Sequence, residues 1–128
     1  MATVIFDNCE NLFGEQITIA SGASVSEGVP TLGRGLCGIY LPASWTAANI
    51  AFSVSLDGIN FVTVVDSSGN LEGCKVTAGT AVAFPTADAL KFPFLRVLSV
   101  NTDGSGAAVT QGAARTLTLI FQRFLGGS

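Results

Sequence analysis

Ile50-Ala51-Phe52-Ser53-Val54-Ser55-Leu56-Asp57-Gly58-Ile59-Asn60-Phe61-Val62-Thr63-Val64-Val65 is the stretch on which the fold turns. Ile50, Phe52, Val54 and Leu56 alternate with Ala51, Ser53 and Ser55, the period-two pattern of a strand with one face on a core. Asp57-Gly58 follows at once, and a second run rich in β-branched residues begins at Ile59. An Asp-Gly pair between two such runs predicts a hairpin with a type I′ turn, whose two central residues both take positive φ.

Working outward, the same grammar repeats. Ser67-Ser68-Gly69-Asn70 is a polar turn, and residues 73–77 and 80–84 read as short strands around Ala78-Gly79. Residues 85–90 hold one helical turn at most, because Pro93 stands close behind them. Residues 94–100 form another strand, closed by the breaker-rich loop Asn101-Thr102-Asp103-Gly104-Ser105-Gly106. In residues 114–124, Leu117, Leu119 and Phe121 share one face while Thr116, Thr118, Ile120 and Gln122 share the other, as in a strand that is central or covered. Residues 15–20 and 36–41 are strands, and Ser21-Gly22-Ala23-Ser24 and Gly33-Arg34-Gly35 are turns. The uncharged stretch 36–56 has the length of a membrane span, but Pro42, Ser44, Thr46, Asn49, Ser53 and Ser55 break it into strand, turn and strand. No membrane partner is expected.

No segment carries a sustained 3.6-residue apolar period. About eight to nine short strands joined by Gly and Ser turns predict an all-β fold, an antiparallel β-sandwich that is jelly-roll-like. With 128 residues the chain fits one domain. The expected organisation is residues 1–14 as an N-terminal arm or first strand, 15–125 as a single β-sandwich domain, and 126–128 as a flexible C-terminal tail.

Composition excludes several chemistries. The chain has no His, so the commonest general base and the commonest transition-metal ligand are both missing. Its net charge is −3, and the basic residues Arg34, Lys75, Lys91, Arg96, Arg115 and Arg123 are scattered singly, whereas nucleic acid needs a clustered basic face. No nucleic-acid partner is expected. Only 12% of residues are charged, about half the usual share, which leaves little hydrophilic surface and implies that neighbours cover part of it. The opening Met1-Ala2-Thr3-Val4-Ile5-Phe6-Asp7 lacks the basic and long apolar regions of a secretory signal, so synthesis in the cytosol is expected. Cys9, Cys37 and Cys74 form no C-x-x-C and read as small buried apolar side chains.

Candidate sites mostly resolve into structure. Gly33-Arg34-Gly35 precedes a strand rather than a helix and reads as a turn, not a phosphate cradle. Asp57, Asp66 and Asp103 belong to turns, Glu10 and Glu15 bracket an N-terminal loop, and no calcium loop of alternating Asp is present. Ser44 has neither flanking glycines nor a His to activate it. No catalytic residue, cofactor site or metal site is expected, and the chain is read as a non-enzyme. Trp45, the only Trp, has three readings: a plug of the core or rim, an interface anchor, or a platform for a sugar ring together with Tyr40. Val4, Ile5, Phe6 and Phe13 are interface candidates if the N-terminal segment is an arm lying on a neighbour or completing its sheet.

The runs Ile17-Thr18-Ile19-Ala20-Ser21-Gly22-Ala23-Ser24, Gly38-Ile39-Tyr40-Leu41-Pro42-Ala43-Ser44-Trp45-Thr46, Phe52-Ser53-Val54-Ser55-Leu56-Asp57-Gly58-Ile59-Asn60-Phe61 and Ala114-Arg115-Thr116-Leu117-Thr118-Leu119 together resemble small structural proteins of tailed bacteriophages. The likeness covers about residues 15–121 and rests on strand and turn signatures, so no functional residue is carried over. It implies a capsid decoration or cement protein that is made in the host cytoplasm and sits on the capsid exterior of the virion. The implied partners are the major capsid protein and further copies of the chain, as a dimer or trimer. The alternative is a glycan- or receptor-binding module of a head fibre or tail.

Overall fold

A computed structural model describes residues 2–5, 12–83 and 92–123. Ten strands occur among them: β1 (Ala2–Ile5), β2 (Leu12–Ile19), β3 (Val29–Pro30), β4 (Gly35–Tyr40), β5 (Asn49–Ser55), β6 (Val62–Thr63), β7 (Gly73–Cys74), β8 (Ala81–Ala83), β9 (Phe94–Val100) and β10 (Arg115–Gln122). No helix of the described residues is long and apolar enough to cross a membrane. All strand pairings are antiparallel, in one sheet of order β1-β2-β10-β4-β8 and a second of order β3-β9-β5-β6, with β7 added beside β5.

The topology follows from one long ribbon. The chain pairs with itself about the β5–β6 loop, so that β5 meets β6, β4 meets β8, β3 meets β9 and β2 meets β10. The ribbon then curls until β10 also pairs with β4 and β9 also pairs with β5, which separates successive strands into the two sheets. The expected hairpin is therefore the fulcrum of the fold.

Period-two alternation fixes which face of each sheet is buried. Ile17 and Ile19 of β2, Ile39 of β4, and Leu117, Leu119 and Phe121 of β10 meet Ile50, Phe52 and Val54 of β5 and Leu95 and Val97 of β9. β10 lies at the centre of its sheet, as its two-sided apolar pattern requires. The outer face of β5 is buried too. Ser53 and Ser55, opposite Arg96 and Phe94 in register, are buried, and Arg96 Nε donates to Ser53 Oγ at 2.7 Å while its guanidinium lies 4.5 Å from the centroid of the Phe61 ring.

Four expectations need correction or completion. β3 went unforeseen because two residues carry no period, and its Pro30 suits the edge position it takes. The strands expected on either side of Ala78-Gly79 do not pair with each other: β7 joins β5 and β8 joins β4, so this turn carries the chain from one sheet to the other. The β5–β6 loop is not a two-residue type I′ turn. It runs from residue 56 to residue 61, and within it only Gly58 takes positive φ, at +80°. Glu15 does not flank a loop but lies within β2. The helical turn expected at residues 85–90 and the tail at 126–128 lie outside the described residues. Residues 2–5 are hydrogen-bonded along β2 as the outermost strand of their sheet, with Val4 opposite Gly14 and Ile5 opposite Phe13.

Candidate functional site

The β5–β6 loop is built by side chains rather than by backbone ladder bonds. Ser55 Oγ donates to Asp57 Oδ1 at 2.8 Å and accepts from the Asp57 and Gly58 amides at 3.1 and 2.8 Å. Asp57 Oδ1 also accepts the amides of Ile59 and Asn60, each at 2.8 Å, and Oδ2 accepts Asn60 Nδ2 at 2.8 Å. The Asn60 amide foremost, then that of Ile59, holds the Asp57 carboxyl well below the usual carboxylate range. Asp and Ser are the residue types whose short oxygens can close such a turn locally.

This frame displays apolar groups instead of hiding them. Leu56 is 79% exposed, Ile59 80% and Val62 66%, with Phe92 at 41%. A shallow cavity of about 310 Å³ opens between them, lined by Val54, Leu56, Val62 and Phe92 with the polar Asp57 and Asn60. Leu32, 73% exposed at φ +56°, belongs to the same end of the sandwich. Pro30 and Ser55 both pair with Phe94, so the loops that follow them emerge on either side of one residue. Thr31 fastens that neighbourhood: its amide donates to the Pro93 carbonyl at 2.9 Å and its hydroxyl to the Phe92 carbonyl at 2.6 Å. Large exposed aliphatic groups gathered at one end make it the candidate interaction surface.

A second surface is distinguished by what it lacks. On the outer face of the first sheet, the exposed strand residues Gln16, Thr18, Tyr40, Ala81, Ala83, Thr116 and Gln122 carry no charge.

Beneath the apolar end lies a buried ion pair that sequence reasoning did not find. Glu15 is 3% exposed and Arg34 9%. Arg34 Nη2 stands 3.4 Å from Glu15 Oε1, its Nε donates to the Thr31 carbonyl at 3.0 Å, and the Thr3 hydroxyl is 2.8 Å from the same carboxylate oxygen. The guanidinium lies 5.3 and 4.9 Å from the centroids of the Phe13 and Phe121 rings, and that of Arg123 lies 4.8 Å from Phe13. One signal was available: Glu15 occupies the inward phase of Phe13, Ile17 and Ile19, where a carboxylate requires a cation.

The interface candidates read from the sequence are placed elsewhere. Trp45 is 5% exposed, packs in the core and donates Nε1 to the Ala48 carbonyl at 3.2 Å. It is a plug, with no indole face left for an anchor or a sugar. Phe13 is half-buried between Arg34 and Arg123, and Val4 and Ile5 belong to β1. Phe6 lies outside the described residues, as do Cys9 and Glu10. The exposed residues at the apolar end were missed because alternation assigned Leu56 and Ile59 to strands, where the structure has a loop, and because Val62, although in β6, is exposed.

Asp66 and Asp103 serve their turns as expected, accepting the amides of Ser68 and Ser105 at 2.9 and 2.8 Å. Cys37 and Cys74 are half-buried and free, and desolvation pushes the Cys74 thiol up to about 11. Among the described residues no three His, Cys, Asp or Glu side chains gather to hold a metal ion. No family model, curated protein or solved structure matches the chain.

Proposed function

We propose that the chain is a non-enzymatic structural protein of a phage virion that binds the exterior of the capsid shell and stabilises it by bridging major capsid subunits. The observation that carries this reading is the hydrogen-bonded β5–β6 loop holding Leu56 and Ile59 out in solvent. A loop ordered this firmly loses little entropy on docking, so burial of its aliphatic groups goes into affinity. The uncharged outer face of the first sheet supports contacts between copies, as a dimer or trimer. We read the strand order β2-β10-β4-β8 over β3-β9-β5-β6 as a jelly roll, an architecture used by viral capsid and lectin domains.

Stabilisation works by mass action. A protein that binds the assembled shell and not its dissociated subunits raises apparent shell stability by RT ln(1 + [L]/Kd) at each site, and many equivalent sites multiply a modest gain. The test is imaging of purified particles with and without the protein, together with their melting temperature. Multi-copy density on the shell and a higher melting temperature with the protein bound support the reading; absence from the shell rejects it.

A further inference from the structure

At the end of the second sheet opposite the Leu56 loop, a cavity of about 280 Å³ opens where β5 begins and β9 ends. Asn49, Asn70, Asn101 and Lys75 line it, with Leu71 as an apolar wall and Gly73 adding no side chain. The amides of Asn49 and Asn70 and the ammonium of Lys75 have no partner among the described residues, and Asn101 uses only Oδ1, which accepts the Asp103 amide at 3.3 Å. No carboxylate lines the cavity.

The donor set selects the ligand. A side-chain amide both donates and accepts, as a sugar hydroxyl does, and three of them line this cavity together with one cation, Lys75. A base or aromatic ligand would want a ring to stack on, and no ring lines this cavity. A phosphate would want several cations or converging backbone amides, and only Lys75 carries charge. The volume, about 280 Å³, lies just below the range of ligand pockets, about 300–1,000 Å³, and suits one ring rather than an extended chain.

We propose that this cavity binds a single carboxylated sugar unit, its hydroxyls shared among Asn49, Asn70 and Asn101 and its carboxylate facing Lys75. The site is remote from the Leu56 loop and does not depend on shell binding. Being shallow and built from few groups, it binds on the order of 1 mM.

The test is a titration of the isotope-labelled full chain with sodium glucuronate, glucose and sodium acetate, followed at the backbone amides of Gly73 and Gly104. The expected result is a saturable shift of both signals with glucuronate, with glucose about tenfold weaker and acetate without saturation. Lys75→Ala brings glucuronate down to the affinity of glucose, and Asn70→Ala weakens both sugars. Both side chains are exposed, so an otherwise unchanged spectrum shows that the fold is intact. No saturable shift with glucuronate, equal binding of glucose, or equal binding of acetate overturns the proposal.

Discussion

Ser55 and Asp57 clasp each other across the end of β5: the serine hydroxyl donates to the carboxylate at 2.8 Å and accepts the aspartate amide at 3.1 Å. This reciprocal pair ends the strand one residue before alternation would end it. Leu56, in phase with the buried Ile50, Phe52 and Val54, is thereby turned into solvent. Two short polar side chains thus convert the tip of the long ribbon from a tight hairpin into a platform.

The clasp gives the fold a signature in acid. The folded-state pKa of Asp57 lies below its unfolded value, so its contribution is complete above the ordinary carboxylate range near pH 4 and is lost as pH falls toward the depressed value. Between pH 7 and pH 3 the wild-type chain is expected to lose more thermal stability than Asp57→Asn, which has no proton to gain at this position. Parallel melting curves of the two proteins at both pH values check this, and identical losses contradict it.

The Glu15–Arg34 pair predicts a non-additive cycle. Removing either partner strands a charge in a site that water barely reaches, which costs about 3–5 kcal/mol. Glu15→Gln and Arg34→Met are each expected to lower the urea midpoint sharply. The double variant is expected to recover much of the loss, because no charge is then left stranded and the thioether introduced at position 34 can pack between the Phe13 and Phe121 rings in place of the guanidinium. Additive losses in the denaturation curves reject the pairing.

Most of the sandwich was legible because alternation reports directly on burial. Leu117, Leu119 and Phe121 were read as one face and are fully buried, and residues 94–100 match β9 residue for residue. What escaped is what alternation cannot encode. The two residues of β3 are too few to show a period, and the partition of β7 and β8 between sheets depends on how the ribbon curls. Glu15 broke the inward apolar phase in plain view, yet its partner lies 19 residues away, beyond β3 and the loops on either side of it. The candidate site was the least legible part: Leu56 and Ile59 have the residue types of a buried strand but lie in the loop that Ser55 and Asp57 build, and Val62 lies in a strand, β6, that is exposed.

Trp45 gives a spectroscopic check of the core. As the only Trp, 5% exposed and hydrogen-bonded to Ala48, it is expected to emit at short wavelength and to resist acrylamide quenching until the chain unfolds. Trp45→Ala is expected to destabilise by about 3–5 kcal/mol, the range for removing a large buried aromatic group. A red-shifted, readily quenched native emission places the indole in solvent and contradicts the plug.

The apolar end makes the sharpest prediction for function. Leu56 and Ile59 are each about four-fifths exposed, so replacing both by Asp removes almost no buried contact and is expected to leave the free protein within about 0.5 kcal/mol of wild type. On a partner surface the balance reverses. Covering each side chain is worth about 1.5–3 kcal/mol, and a carboxylate pressed into the same site adds a desolvation cost. The double variant is therefore expected to bind shells at least about a hundredfold more weakly, with unchanged melting. Co-sedimentation with purified particles measures the first quantity and a thermal scan the second. Full shell binding by a normally folded double variant shifts the contact to the uncharged outer face of the first sheet, where Tyr40→Ala and Gln122→Glu become the variants that must abolish it.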